Sequence, residues 1–481
     1  MALGTLGFNR GLVGASRYNR CLSAEGHDEY FDTVASMTIV GRAARGGRAC
    51  RGPVERWGHD GMPDLRIRPR RGTRSLNVAF LLVALLAACS PVSDAPPLVE
   101  TPAPATIDAL LQGAVDTGAV PGIVAAVVDA ESTLYTGAFG LQSVETRRPM
   151  EPDSIFRMMS MTKPVASVAA MMLYEEGAFG LDDPIADYVP AEASRHVISA
   201  FDMEQGTYEL VPPDSLVTIR QALTHTSGAG YDFSSPELAR LRDVTGDDPG
   251  QFPLLYQPGL RWNYSVSTDR LSDMVEAISG TNFATFVRMR IFEPLGMEDT
   301  FWSVPPPKID RVVTTHERQD DGSLVETANP DVLEGPARGR SGLFSTAPDY
   351  ARFLQMLLRN GEGPTGRLLA PETVALMREN HIGDLTVVTQ VGVDPRLSRP
   401  FPVNAGVDTF GLGFQIAERA LPGMRAEGSY SWSGLYNTHF WVDPARGIAG
   451  ILLTQLLPFY DDRVMALYAD YEAHVNEVFG E

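Results

Sequence analysis

The sequence predicts an α+β fold in which strands from both ends of the domain form one antiparallel sheet flanked by helices. Two observations lead to this prediction. Strand-like apolar runs stand at 122–140 and again at 436–456, near the two ends of the sequence that looks foldable. Between them, over about 181–340, short helical patterns alternate with loops. Because the two groups of strands need a shared core, we expect the mainly helical region to be an insertion into one domain.

The opening part of this domain is predicted to be a strand pair followed by a helix. Helical spacing comes first, and then two strand-like segments, 122–130 and 133–140, joined by a tight turn. The segment 158–176 consists mostly of good helix formers. Pro164 falls in or near the first turn of that helix, where a missing N–H costs least. Gly177 is then expected to end it.

The rest of the chain supplies the inserted helices and the second group of strands. Helical patterns are clearest at 271–278 and 283–292, and a further one covers 345–360. Near the end, 436–442 and 448–456 flank a turn with the sequence Asp-Pro-Ala-Arg-Gly and predict two neighbouring strands. A final amphipathic helix has its apolar side chains at Val464, Leu467, Tyr468, Tyr471, Val475 and Phe479.

The segment before the domain is typical of an export signal. Arginines precede an apolar run at 78–88 that is too short to span a bilayer comfortably and ends in small residues before Cys89. This pattern predicts a signal peptide over 62–88. The sequence Leu-Ala-Ala-Cys also resembles the lipobox of bacterial lipoproteins. The predicted location is therefore the periplasm of a bacterium, or a membrane surface to which lipid on Cys89 anchors the protein.

Composition indicates the remaining boundaries. Residues 1–61 are rich in arginine and glycine and have no apolar periodicity, so we interpret them as a mis-called start or a disordered extension. The Pro- and Ala-rich stretch 89–105 predicts a linker. These boundaries leave 106–481 as the folded domain.

Charge and cysteine content argue against several classes of function. Of the 40 basic and 60 acidic side chains, 13 and 7 lie in residues 1–88, so the rest of the chain has a formal charge of −26. Such a surface repels nucleic acid and anionic lipid. The cysteines are Cys21, Cys50 and Cys89, which leaves no thiol in the domain for a disulfide or a metal. The histidines lie far apart in the sequence, and the glycine-rich stretches lack the spacing of phosphate-binding and dinucleotide-binding loops. We therefore predict no metal, no cofactor and no nucleic-acid partner.

Lysine is very rare in this chain, and one lysine stands three residues after a serine. Lys163 and Lys308 are the two lysines among forty basic residues, and Lys163 closes the tetrad that begins at Ser160, Ser-Met-Thr-Lys. Arginine keeps its proton in proteins, whereas lysine can lose it where its surroundings lower its pKa. Side chains at i and i+3 of a helix can touch, so a neutral amine could take the serine proton. The alternative is an exposed serine beside a solvated lysine. The scarcity of lysine favours a serine acyl-transfer enzyme that uses no histidine.

Two further segments are candidates for completing the site. Tyr264 follows a Gln-Pro-Gly turn, and a phenol close to a lysine could pass the serine proton to a leaving group. Trp432-Ser433-Gly434 precedes a predicted strand, where an edge strand could pair with an extended substrate and lend a backbone N–H to an oxyanion hole. Taken alone, each segment fits a core aromatic residue beside a turn equally well.

Together these motifs resemble the serine β-lactamase and penicillin-recognising family, and most closely its class C branch and the family VIII carboxylesterases. The resemblance extends from about residue 106 to the end of the chain. It rests on the tetrad within FRMMSMTKP, on LTHTSG at 223–228, on Pro-Gly before Tyr264, on GRSGLFSTAPDYARF at 339–353 and on WSGLYNTHFWVDP at 432–444. It implies a β-lactamase-like fold.

The resemblance also implies roles for the candidate residues. Ser160 would be the nucleophile, Lys163 its proton partner and Tyr264 the general base that later activates the hydrolytic water. The backbone N–H groups of Ser160 and Leu435 would form the oxyanion hole. The residues implied in substrate binding are Trp432, Ser433 and Gly434.

Two departures from the β-lactamase pattern favour ester substrates. β-Lactamases of this branch carry Asn where this chain has Val266, and Lys-Thr-Gly where it has Trp-Ser-Gly at 432–434. Both changes make the pocket less polar, and Trp-x-Gly resembles the esterase members. The sequence therefore predicts an exported carboxylesterase for small or medium acyl esters, acting through a Ser160 acyl-enzyme. Two alternatives stay open: a β-lactamase or D-amino-acid peptidase of the same fold, and a cell-envelope lipoprotein that binds without catalysis.

Overall fold

The computed structural model describes residues 103–327, residue 329 and residues 337–480. The predicted N-terminal extension, the signal peptide and Cys89 lie outside these residues, as does most of the predicted linker. The first helix begins at Ala103, three residues before the predicted start of the domain. Within the described part of the chain, no helix is both long enough and apolar enough to cross a membrane.

The secondary structure of the described residues consists of the following elements. The helices are α1 (Ala103–Asp116), α2 (Thr162–Glu175), α3 (Ile219–Leu223), α4 (Pro236–Thr245), α5 (Thr268–Ser279), α6 (Phe283–Val287), α7 (Glu293–Leu295), α8 (Ala347–Leu358), α9 (Pro371–Met377) and α10 (Asp462–Phe479). The strands are β1 (Gly122–Asp129), β2 (Thr133–Ser143), β3 (Arg148–Pro149), β4 (Phe156–Arg157), β5 (Val197–Asp202), β6 (Thr207–Val211), β7 (His316–Arg318), β8 (Leu324–Glu326), β9 (Phe344–Ser345), β10 (Glu362–Gly363), β11 (Gly366–Arg367), β12 (Thr409–Phe410), β13 (Gln415–Ile416), β14 (Tyr430–Gly434), β15 (Thr438–Asp443), β16 (Ile448–Leu453) and β17 (Leu456–Leu457).

An eight-stranded antiparallel sheet confirms the predicted fold class. Its strand order is β12-β13-β14-β15-β16-β1-β2-β3, so strands from the start of the domain lie beside strands from its end. The two groups join where β1 pairs with β16, with Val124 opposite Leu453 and Asp129 opposite Ile448. The long region between β3 and β12, which contains α2 and α8 in addition to the predicted insertion 181–340, therefore interrupts this sheet.

The sheet has a hydrophobic core on each face. Successive side chains of a strand point to opposite faces. Along β1, Val124 and Ala126 face a large core that includes α2 and α8, while Ile123 and Ala125 face a smaller core with α1 and α10. Burial on both faces explains why β1 and β16 are continuous apolar runs and lack the alternation of a half-exposed strand.

The inserted region is mainly helical but contains a hairpin that the sequence patterns did not reveal. β5 and β6 pair antiparallel, and all five residues of β6 are exposed. β5 buries Val197 and packs Ile198 and Phe201 against a small cluster, so the strands contribute little to the main core and their short pattern was not distinctive. The helix predicted over 283–292 is also divided, because α6 ends at Val287 and a π-helical turn, Arg288–Phe292, follows.

Candidate active site

The three side chains predicted to act together meet at the N-terminal end of α2. Lys163 Nζ lies 3.2 Å from Ser160 Oγ. The hydroxyl of Tyr264, which comes 104 residues later in the chain, donates a 2.6 Å hydrogen bond to the same serine oxygen. The serine hydroxyl is therefore held between an amine and a phenol.

Local backbone geometry positions Ser160 just before α2. The serine lies in a 3₁₀ turn, Met159–Met161, which leads directly into the helix. Met159 has φ = 47°, a left-handed conformation that costs a side-chain-bearing residue about 1–2 kcal/mol. The Thr162 hydroxyl donates a 2.6 Å hydrogen bond to the Met159 carbonyl, and the Tyr350 hydroxyl donates at 2.9 Å to the last carbonyl of the turn. Because almost all of α2 is buried, the turn is attached to a rigid element.

Lys163 is buried among hydrogen-bond acceptors. It is 1% exposed, and its Nζ donates at 2.9 Å both to the hydroxyl of Tyr231 and to the carbonyl oxygen of Arg340. Burial lowers the pKa of Lys163 well below its ordinary value, while the carboxylate of Asp269 opposes this shift and Arg340 adds to it. A lysine in these surroundings is readily neutral, and a neutral amine can take the proton of Ser160.

Tyr264 has the opposite protonation preference. Its side chain is 3% exposed, and burial raises the pKa of its phenol, while interactions with the side chains of Ser160, Trp432 and Tyr231 act in the other direction. Tyr264 thus retains its proton when no charge is present nearby. The site combines a proton acceptor, Lys163, with a proton donor, Tyr264, on one serine oxygen.

An ionic network holds the segment that contacts Lys163. The guanidinium of Arg340 donates to both carboxylate oxygens of Asp248, at 2.9 and 2.6 Å, and lies 3.3 Å from Asp269. The hydrogen bonds from Arg340 hold the pKa of Asp248 at about 2, so this carboxylate is ionised at any ordinary pH. The Arg340 backbone N–H also donates to Asp269 at 3.1 Å. These contacts fix the carbonyl that accepts from Lys163.

Four polar residues of the site were not identified from the sequence: Tyr231, Asp248, Asp269 and Arg340. They belong to separate segments of the insertion, and only its folded path brings them to Lys163. Arg340 lies inside the GRSG stretch that contributes to the family resemblance. The resemblance therefore drew attention to this stretch but did not indicate what Arg340 does.

The strand that carries Trp432, Ser433 and Gly434 is β14, and it is not an edge strand as a whole. β15 pairs along one side of it, and the short β13 pairs with Tyr430 and Ser431 on the other. The prediction of an edge strand was therefore wrong for the first half of β14, because β12 and β13 extend the sheet by two short strands. The second half, Trp432–Gly434, lies beyond the β13 pairing and runs along the cavity.

Gly434 allows β14 to approach the serine turn closely. A Cβ atom at this position would lie 2.2 Å from the carbonyl oxygen of Met158. Only glycine fits such an approach without a backbone shift. Leu435, which follows it, lines the same cavity as Ser160, so both predicted oxyanion-hole residues border one space.

The cavity above Ser160 has a volume of about 280 Å³ and is walled mainly by aromatic rings. Two charged side chains reach it, and both are paired: Asp232 lies 2.5 Å from Arg242, and Arg340 is bound by Asp248. In the described residues, no group of His, Cys, Asp or Glu side chains is arranged to hold a metal ion. The rings that form the walls are those of Tyr231, Phe233, Tyr264, Phe401, Trp432 and Phe459.

The fold and the serine–lysine–tyrosine constellation define a serine hydrolase. The family model named Beta-lactamase matches residues 107–474, almost the whole described domain, and the chain belongs to the beta-lactamase family.

Relatives within this family extend the comparison. Esterase EstB of Burkholderia gladioli is 30% identical over 390 residues, which cover 73% of this chain and 90% of EstB. Lovastatin esterase of Penicillium rubens is 27% identical over 383 residues, 75% of this chain and 95% of that protein. A mutant of simvastatin synthase from Aspergillus terreus has a TM-score of 0.69 at 26% identity, covering 78% of this chain and 95% of that one. Further relatives are named as acyltransferases.

Proposed function

We propose that the protein is a carboxylesterase that cleaves small or medium acyl esters through an acyl-enzyme on Ser160. The observation that carries this proposal is the placement of the Ser160 hydroxyl between the buried amine of Lys163 and the phenol of Tyr264, facing an apolar cavity. The names of EstB and lovastatin esterase support the same class of substrate.

In acylation, Lys163 takes up a proton and Tyr264 gives one up. Ser160 Oγ attacks the ester carbonyl carbon while its proton passes to the neutral amine of Lys163. The bond from the carbonyl carbon to the alcohol oxygen then breaks, and the leaving alkoxide takes the proton of Tyr264. The products are the free alcohol, the acyl-serine, a Lys163 ammonium and a Tyr264 phenolate. The total charge is unchanged, because a neutral pair has become an ion pair.

Deacylation reverses these roles. The Tyr264 phenolate takes a proton from water, whose oxygen bonds to the acyl carbon. The bond to Ser160 Oγ breaks, and this oxygen recovers a proton from the Lys163 ammonium. The sequence resemblance assigns Tyr264 as the general base, and in this scheme it becomes a base only after its first proton has left with the alcohol.

The oxyanion formed in both steps is proposed to bind the backbone N–H groups of Ser160 and Leu435. Both residues border the cavity, and the Gly434 backbone brings the Leu435 segment close to the serine turn. Such a pair of donors typically contributes a factor of about 10²–10³ per donor to kcat. We propose Trp432, Ser433 and Gly434 as the strand along which the substrate lies.

The cavity favours uncharged acyl esters over β-lactams. Its walls are mostly aromatic, and its two charged groups are already paired within the protein. Val266 is buried at the position of the β-lactamase asparagine, so it offers no amide to the side chain of a β-lactam. We therefore place ester hydrolysis ahead of β-lactam or D-amino-acid peptide hydrolysis. Acyl transfer to an alcohol is a second candidate, because the Tyr264 phenolate can take a proton from an alcohol as well as from water, and several relatives are named acyltransferases.

The test of this function is the detection of a covalent acyl group on Ser160. Purified protein is mixed with p-nitrophenyl butyrate, with nitrocefin, and with the ester plus a primary alcohol, and its intact mass is measured together with product formation. We expect a butyryl adduct on Ser160 and faster turnover of the ester than of nitrocefin. Turnover without any adduct, or nitrocefin hydrolysis faster than ester hydrolysis, would contradict the proposal.

We also propose that the protein is exported and anchored by lipid on Cys89. Support comes from the apolar run before Leu-Ala-Ala-Cys in the sequence. Metabolic labelling with an alkyne fatty acid, followed by membrane fractionation, should place the label on wild type and not on Cys89→Ser. Equal labelling of the two proteins would refute the lipid anchor.

A further inference from the structure

The proposed mechanism leaves one hydroxyl beside Lys163 without a role, that of Tyr231. Its oxygen lies 2.9 Å from Lys163 Nζ, closer than Ser160 Oγ at 3.2 Å. Tyr231 comes from the loop between α3 and α4 and lines the substrate cavity. The third neighbour of Nζ is the Arg340 carbonyl oxygen, also at 2.9 Å.

The protonation state of Lys163 decides how these three neighbours are used. A neutral amine has two hydrogens and one lone pair, whereas an ammonium has three hydrogens. The carbonyl of Arg340 can only accept, so it takes one hydrogen in either state. In the neutral amine, the second hydrogen goes to one hydroxyl and the lone pair accepts from the other. Lys163 is a base for the nucleophile only when its lone pair faces Ser160 and its hydrogen faces Tyr231.

A second contact of Tyr231 favours that arrangement. Its ring packs beside that of Tyr264, with the ring centroids 5.0 Å apart, so that the two phenols face the same serine–lysine pair. When Tyr231 donates to the Tyr264 oxygen, its own oxygen is left to accept from Lys163. Each group then donates once around the ring formed by Ser160, Lys163, Tyr231 and Tyr264, and the remaining lysine hydrogen goes to the backbone carbonyl.

We propose that Tyr231 is a positioning residue that directs the lone pair of neutral Lys163 at the Ser160 hydroxyl. The proposal rests on the Ser160 acyl-enzyme proposed above and deepens it. In acylation the serine proton must enter this lone pair as the new carbon–oxygen bond forms. In deacylation Lys163 is an ammonium without a lone pair, so the orienting effect is no longer needed. Tyr231 therefore acts mainly on the first half of the reaction.

The substitution Tyr231→Phe removes the hydroxyl and keeps the ring. We expect the acylation rate, measured as the stopped-flow burst of p-nitrophenol from p-nitrophenyl butyrate, to fall on the order of 10- to 100-fold. Loss of the butyryl mass from preformed acyl-enzyme should slow less than about threefold. The matched control is Tyr208→Phe, the same change on the exposed strand β6, and it should leave both rates as in wild type.

A second variant keeps the test valid if the phenylalanine variant does not fold. Incorporation of p-aminophenylalanine at position 231 keeps the ring and places a nitrogen where the tyrosine oxygen stands, so this variant should acylate faster than a folded variant that lacks an acceptor, such as Tyr231→Leu. Folding of each variant is checked by its melting temperature. A p-aminophenylalanine variant that acylates no faster than the leucine variant would overturn the directing role.

The outcomes separate this inference from the function on which it rests. A wild-type protein that forms no butyryl adduct on Ser160 would refute the acyl-enzyme itself. A wild-type adduct, together with a folded Tyr231→Phe variant that acylates at the wild-type rate or slows equally in both steps, would overturn the role of Tyr231 and leave the acyl-enzyme intact.

Discussion

The two faces of the central sheet are built for different purposes. The face toward α1 and α10 is a smaller core, in which Leu452 and Trp441 are fully buried and which also encloses the ion pair of Arg425 with Glu472. The face toward α2 has a larger core, but near Ser160 it also encloses a buried lysine, an ionic network and a residue in a left-handed conformation. Both faces bury charged groups at a cost, but those on the α2 face surround a serine hydroxyl, where they are useful for chemistry.

The largest effect is expected from a substitution that abolishes the reaction on the α2 face. Ser160→Ala should lower kcat/KM for p-nitrophenyl butyrate on the order of 10⁴-fold or more, because removal of a nucleophile disables the whole catalytic unit. Stability should change little, since a half-buried hydroxyl is lost. Initial rates and thermal unfolding measure the two effects. An equal rate for wild type and Ser160→Ala would exclude this serine from the reaction.

A substitution on the opposite face should lower stability and leave the reaction unchanged. Leu452→Ala should lower the free energy of unfolding by about 2–5 kcal/mol, because it leaves a cavity in a closely packed core. Activity per folded molecule should remain that of wild type, as Leu452 belongs to the α1–α10 core. Urea unfolding and active-site titration give the two quantities. A loss of activity in fully folded protein would show that the faces are not separate in function.

One methyl group added where β14 meets the serine turn should lower both stability and activity. Gly434→Ala places a Cβ within 2.2 Å of the Met158 carbonyl oxygen, so strand and turn must move apart. We expect a destabilisation of about 1–3 kcal/mol and a loss of kcat that exceeds the change in KM. Gly113→Ala, on α1, where φ is not positive and no atom approaches the added methyl group, controls for the replacement of a glycine as such. Equal effects of the two changes would argue against a special role for the close approach.

The smallest expected effect is a shift in pH dependence. Activity should rise with pH as Lys163 loses its proton, at a pH well below the ordinary pKa of lysine. The Asp269 carboxylate raises the pKa of Lys163, so Asp269→Asn should lower this pKa further and move the acid limb of kcat/KM to lower pH. Asp248→Asn is the control, because Asp248 binds the same arginine and is not among the charges that shift the pKa of Lys163. A limb that moves to higher pH in Asp269→Asn would contradict the assignment.

The same contrast explains what could be predicted from the sequence. The continuous apolar strands β1 and β16, the helix after Ser160 and the final helix α10 have strong periodic or compositional signals, and their existence and order were predicted correctly. The two short strands beside β14 and the β5–β6 hairpin, whose second strand is fully exposed, have much weaker signals. Their formation depends on neighbours that are distant in sequence.

The residues of the active site also divide into those that the sequence indicated and those that it did not. Lys163 was recognisable because lysine is rare in this chain, and Tyr264 because of its place after a Pro-Gly turn in a family-like pattern. Tyr231, Asp269 and Arg340 are ordinary residues in loops or on a helix of the insertion. Only the folded path of the chain brings them within reach of Lys163, so local sequence could not indicate their roles.

The two lysines provide the most direct test of the central claim, that a buried neutral amine activates Ser160. Lys163 is 1% exposed among neutral acceptors, whereas Lys308 is partly exposed and lies 2.7 Å from Asp299. Intact mass is measured after brief exposure of Lys163→Met and Lys308→Met to p-nitrophenyl butyrate. We predict that the Lys308 variant gains one butyryl group on Ser160 at the wild-type rate and that the folded Lys163 variant gains none on the same timescale. Wild-type labelling of the Lys163 variant would contradict the claim.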